Sequence, residues 1–135
     1  MAEALPPTPA RPLSPRLSVW RWHVTMTASI LHRVTGVGLY GAALVLTAWA
    51  LSLASGQRAY DAFMGLLGSL PGKAILFAVT VTLFFHLLNG VRHLAWDMGK
   101  GFTPRTADTT AWGAMLLAIL AAVGAWIAAA MGAAS

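Results

Sequence analysis

Cysteine is absent from the 135 residues. Disulfides, zinc–thiolate sites, iron–sulfur ligation and thiol nucleophiles are therefore excluded for this chain. Any metal or cofactor must be held by histidine, methionine or carboxylate. Charge is nearly as scarce, at 10% Asp, Glu, Lys and Arg. A soluble domain carries about 25%, so this chain has too little charge to coat a water-facing surface. Acids are scarcest, four against nine Lys and Arg, which leaves a net charge of +5. In a soluble chain that excess would suggest nucleic acid. Here the basic residues sit near the ends of apolar runs, where anchoring and topology account for them. No hydrolytic triad, phosphate loop or carboxylate pair is present. With 58% hydrophobic residues and no strand-like alternation, the composition reads as one small, all-α integral membrane domain.

Proline is concentrated rather than absent. Residues 1–16 hold five of the seven prolines. That segment cannot stay helical and has no apolar run of its own, so it reads as an extended arm and not as a signal or transit peptide. Residues 1–24 are taken as this arm with an interfacial segment, and 25–132 as a three-helix membrane domain. The expected spans are 25–53, 74–96 and 111–131. Each is near the roughly 20 residues that cross about 30 Å of hydrocarbon. Backbone polar groups in lipid must be satisfied within their own segment, so the spans are helices.

Arg11, Arg16, Arg21 and Arg33 precede or open the first span, and Arg92, Lys100 and Arg105 flank the second loop. The first loop has Arg58 and Lys73, offset by Asp61, and the tail has no charge. The positive-inside rule then puts the N-terminus in the cytoplasm. Gly124, Ala128 and Gly132, and Gly38 with Ala42, are spaced by four and read as packing faces, within the chain or against another subunit; an ordinary Ala-rich helix would show the same pattern.

Two polar clusters need a reason, because ionisable residues in a span are costly. The first is Ser29, His32 and Arg33, where the first helix enters the membrane. Ser29 and Arg33 share a face. Together they offer a hydroxyl and a fixed cation, although Arg33 could simply reach toward headgroups. The second runs from His86 to His93. His86 lies too deep to reach water. A haem ligand, a proton relay and an interhelical hydrogen bond all remain open to it. Gly90, one turn away, leaves room for a flat macrocycle. His86 and His93 are separated by about 10.5 Å along the helix and cannot ligate one iron from opposite sides. His32 looks too shallow to supply the second ligand, so a partner chain is the expected source. Asp97 is expected to make a helix-end hydrogen bond.

Three segments, Arg11-Pro12-Leu13-Ser14-Pro15, Ser29 to Gly36 (SILHRVTG), and His86-x-x-x-Gly90-Val91-Arg92-His93-Leu94-x-Trp96-Asp97-x-Gly99, together resemble the large membrane-anchor subunits of succinate dehydrogenase. These are the cytochrome b556 subunits of respiratory complex II, and the arm is similar to the mitochondrial and alphaproteobacterial branch. The resemblance spans nearly the whole chain. It implies half of a six-helix bundle shared with a second small anchor subunit, with an iron–sulfur subunit and a flavoprotein docked on the cytoplasmic face. It implies haem b with His86 as axial ligand, and His32 and Arg33 near the propionates. It implies a ubiquinone site formed by Ser29 and Arg33, with Trp22, Ile30 and Leu17 as apolar walls. Succinate oxidation would reside in the partner subunits, and the bacterial cytoplasmic membrane is the expected location. The resemblance gives His93 and Asp97 no role. Two other readings stand beside it: a haem-free structural anchor for a peripheral enzyme, and a small proton-conducting subunit using His86 and His93. Against the latter, no acid is embedded in a span and no inverted repeat is visible.

Overall fold

The computed structural model describes residues 20–134, so Leu17 and the proline-rich arm lie outside the described residues. Four helices follow one another: α1 (Val24–Ala54), α2 (Gln57–Gly68), α3 (Leu70–Asp97) and α4 (Pro104–Gly132). No strand occurs among the described residues. The three long helices α1, α3 and α4 are each long and apolar enough to cross a membrane.

Local chemistry sets the helix starts. Ser69 caps α3, its hydroxyl accepting from the Gly72 amide at 3.2 Å, and Pro71 occupies the first turn. A proline there loses no helical hydrogen bond, because the first amides have no partner in the helix. The chain turns so sharply from α2 into α3 that a side chain at Gly72 would run into the carbonyls of Leu66 and Leu67. Only glycine fits that corner. Pro104 likewise opens α4.

Cross-helix pairs fix the directions. On α1 and α3, His32 meets His86 and Gly38 faces Thr82, so the two run antiparallel. On α3 and α4, Arg92 bonds Thr110 while Thr80 bonds Trp126, so these also run antiparallel. α3 packs most extensively on α4, and α1 lies against both. Ala28, Phe85, Ala111 and Ala118 form the centre. The contact face of α4 is the stripe Ala111, Ala114, Ala118 and Ala122. Small side chains let helices approach closely where lipid gives no hydrophobic drive to associate. Gly124, Ala128 and Gly132 are exposed in the single chain, so they do not form its internal seam, and packing against another subunit is the part of that expectation left standing. An Ala-rich helix carries such spacing on several faces, so spacing alone does not pick the buried one.

The element missing from the sequence reading is α2. Its half-buried residues Ala59, Tyr60, Phe63 and Leu67 lie on one face, which packs against α1 and α3. Gln57 donates to Asp61 across one turn on the outer face, at 2.7 Å. Twelve residues are too few for a stable isolated helix, so packing supplies what holds it.

Large apolar side chains face outward along all three long helices, among them Val37 on α1, Leu87 on α3 and Trp112 on α4. An exterior of this kind suits lipid or partner helices, not water.

Candidate functional site

The interior becomes polar at one end of the bundle, where α1 enters, α3 ends and α4 begins. Measured from those ends at 1.5 Å per residue, His32 lies about 12 Å along α1 and His86 about 16 Å along α3. The two therefore share a level. Their rings stack at 3.9 Å between centroids and 14° between planes. His93 approaches His32 at 5.1 Å, and Trp96 meets His93 edge-on at 5.0 Å. Expected to be too shallow to supply a second ligand opposite His86, His32 does reach the level of His86. Rings stacked 3.9 Å apart leave no space for an iron between them, so a partner chain stays the expected source of that ligand. Distance along one helix does not reveal how far an antiparallel neighbour is shifted against it.

Three positions of α1 hold the His86 ring. His32 covers one face. Thr35 lies 3.1 Å from Nδ1 through its hydroxyl. At Gly36, an added Cβ would come within 3.4 Å of Cε1. Residues 32, 35 and 36 have the i, i+3, i+4 spacing of one helical stripe. The His86 Nε2 has no hydrogen-bond partner among the described residues and is not sealed from the surface. On His32 the Nδ1 atom is buried without a hydrogen bond.

Beside this cluster Arg92 is buried, as is Asn89. The guanidinium donates from Nε to Thr110 at 2.9 Å and from its two terminal nitrogens to Asn89 Oδ1 and the Ala107 carbonyl, both at 3.0 Å. It also lies over the Trp96 ring, 4.2 Å from the centroid. The Asn89 amide nitrogen lies 3.3 Å from His93 Nε2. A buried cation is tolerated only when paired or fully hydrogen-bonded. Here neutral oxygens and a ring face do that work, so Arg92 ties α3 to α4. Sequence reading treated Arg92 as a charge just inside a span and gave Asn89, Thr35 and Gly36 no role at this site. An Asn three residues before an Arg on one helix was the available signal.

Ser29 is half-buried, while Arg33 is exposed. Neither makes a side-chain hydrogen bond among the described residues. Ile30 is 45% and Trp22 58% exposed. Trp22 donates its indole N–H to the Thr27 hydroxyl. Ser29, Ile30 and Arg33 thus form a patch on the entering turns of α1, next to the histidines but separate from them. Asp97 ends α3 exposed, without the expected helix-end hydrogen bond among the described residues.

A haem needs an axial nitrogen with its lone pair free, and His86 Nε2, unbonded among the described residues, can meet that demand in the tautomer that protonates Nδ1. The lone pair lies in the ring plane, so the stacked His32 covers a face and leaves the coordinating edge open. The orphaned Nδ1 of His32 likewise finds no hydrogen-bond partner among the described residues. The residues present therefore fit such a group.

The sequence model of the succinate dehydrogenase/fumarate reductase transmembrane subunit family matches residues 7–125. A succinate dehydrogenase cytochrome b556 subunit from Rickettsia felis is 39% identical over 117 residues, covering 87% of this chain and 91% of the relative. That of Rickettsia conorii is 37% identical over 118 residues, with the same coverage. The mitochondrial cytochrome b560 subunit of Bos taurus is 35% identical over 119 residues, covering 84% of this chain and 69% of the relative. With matches of this extent and three apolar helices around a histidine-lined interior, the chain belongs to the family of succinate dehydrogenase/fumarate reductase transmembrane subunits.

Proposed function

We propose that this protein is a membrane-anchor subunit of succinate:ubiquinone oxidoreductase that helps bind haem b and forms part of the site where ubiquinone is reduced. The observation that carries the reading is the meeting of His32 and His86 at the polar end of a bundle whose long helices are otherwise mostly apolar. Placing titratable rings there costs free energy, and a bound group that uses them offsets that cost.

His86 would hold the iron through Nε2, with the opposite ligand from a second small anchor subunit. Haem held by imidazole would supply a one-electron carrier suited to electron transfer. His32 Nδ1, with Arg33 nearby, would serve the propionates. The remaining partners are an iron–sulfur subunit and a flavoprotein that oxidises succinate, docked on the cytoplasmic face of a bacterial inner membrane with the N-terminus inside. The bundle would be half of a six-helix domain.

Ubiquinone takes up two electrons and two protons. Ser29 would donate its hydroxyl to one carbonyl of the headgroup. Arg33 would supply positive potential as negative charge develops on the reducing ring. Ile30, Trp22 and Leu17 would form apolar walls. A site on the entering turns of α1 would lie close to the proton supply and to the docked electron donor.

The test is a reduced-minus-oxidised absorption spectrum of the detergent-purified complex containing this chain, with succinate as reductant. A b-type α band is expected, and His86→Ala should remove or displace it. A wild-type band in that variant assigns the ligand elsewhere. No band in an active complex would favour the haem-free anchor. Arg33→Leu should lower ubiquinone reduction at least tenfold while succinate oxidation with a soluble artificial acceptor continues. Undiminished quinone reduction would remove Arg33 from the site.

A further inference from the structure

Resting on the reading of His86 as the haem ligand, we propose that Thr35 is its positioning residue: the Thr35 hydroxyl accepts the Nδ1 proton of His86, fixes the tautomer with a bare Nε2, and lowers the haem reduction potential. The direction of the bonds follows from their geometry. Thr35 Oγ1 lies 3.0 Å from the carbonyl of His32 and 3.1 Å from His86 Nδ1. A carbonyl can only accept, so the single hydroxyl proton of Thr35 goes to His32. With that proton committed, the hydroxyl can bond His86 only as acceptor. Nδ1 must then carry the hydrogen, and Nε2 keeps its lone pair. The chain of bonds therefore reads His86 Nδ1–H to Thr35 Oγ1, and Thr35 O–H to the His32 carbonyl. Each bond polarises the next.

The surroundings hold this arrangement. Stacking of His32 on one face fixes the plane of the His86 ring. Gly36 lets the ring lie close to α1, since a Cβ there would press on Cε1 at 3.4 Å. Thr35 is anchored to its own helix by the bond to His32, so it presents a fixed acceptor. A histidine that donates its second N–H becomes a more basic ligand and prefers the more highly charged metal. Ferric iron is favoured, and the potential falls.

Thr35→Val keeps the shape and removes the oxygen, while Thr35→Ser keeps the oxygen. The experiment is a redox titration of the haem band and a ferric EPR spectrum on the detergent-purified complex carrying each variant. In Thr35→Val the ferric-to-ferrous ratio at a given potential should fall about fivefold, a rise of about 40 mV at 59 mV per tenfold for a one-electron couple. Its g-values should shift as the ring is freed, and Thr35→Ser should stay within about twofold of wild type. Loss of haem in Thr35→Val with retention in Thr35→Ser would support the same assignment. Unchanged potential and g-values in Thr35→Val, or equal losses in both variants, would overturn it. His86→Ala separates this from the underlying reading. If that variant loses the spectrum while Thr35→Val changes nothing, only the role of Thr35 fails. A wild-type spectrum in His86→Ala removes the haem-ligand reading itself.

Discussion

The two ends of the bundle are held together by opposite means. At the end where α1 enters, the helices are joined by what side chains add: Arg92, braced by Asn89, reaches Thr110 and Ala107 on α4, and His86 and His93 meet His32 of α1. Toward the other end, α3 and α4 are joined by what side chains omit. Ala114, Ala118 and Ala122 bring α4 close to α3, and a polar link from the Trp126 indole to Thr80, at 3.1 Å, crosses the seam. In lipid both means give contact without a hydrophobic drive, one through hydrogen bonds and the other through close backbone approach. They predict opposite sensitivities. The polar end should suffer when a side chain is removed, and the small-residue end when one is enlarged.

The largest effect should come from enlargement. Ala122 is 0% exposed, so Ala122→Leu must part α3 from α4 or force strained rotamers, at a cost of about 3 kcal/mol. The midpoint of unfolding in an SDS titration, followed by tryptophan emission, reads this. A midpoint equal to wild type would show that the seam tolerates bulk, and the comparison would break there. Removal at the polar end should come next. Arg92→Met deletes three hydrogen bonds and the contact over Trp96, and leaves Asn89 without its donor. Interhelical bonds in membranes average about 0.6 kcal/mol, and the unsatisfied acceptor adds to their sum, giving about 2 kcal/mol. A neutral result in the same titration would mean that desolvating the guanidinium had cancelled its bonds.

What the sequence could reveal follows the same division. The three membrane helices were legible because long apolar runs leave the backbone few alternatives. His86 was legible as an anomaly, since a deep imidazole needs a use. Its neighbours on α1 were not. That His32, Thr35 and Gly36 surround the His86 ring depends on the shift of one helix against another, and spacing within a helix carries no information on that. The buried stripe of α4 was illegible because alanine and glycine recur on every side of it. α2 was read as loop because its helical state comes from contacts with α1 and α3, not from its own propensity.

The smallest effect sharpens the comparison, because it concerns a polar link in the apolar half. Thr80 bonds backward to the Leu76 carbonyl at 2.8 Å and accepts from Trp126. Phe77 packs edge-on against the same indole at 5.6 Å. Thr80→Val keeps the volume, leaves the Leu76 carbonyl in its helical bond, and strands only the indole N–H. An indole near the membrane interface can turn its N–H toward water or headgroups. The cost should therefore be about 0.6 kcal/mol, the average for such a bond in a membrane. The SDS midpoint should barely move while the Trp126 emission shifts as its hydrogen-bond partner changes. A loss as large as that of Arg92→Met would show that hydrogen bonding holds both ends, and that the small-residue seam does not suffice alone.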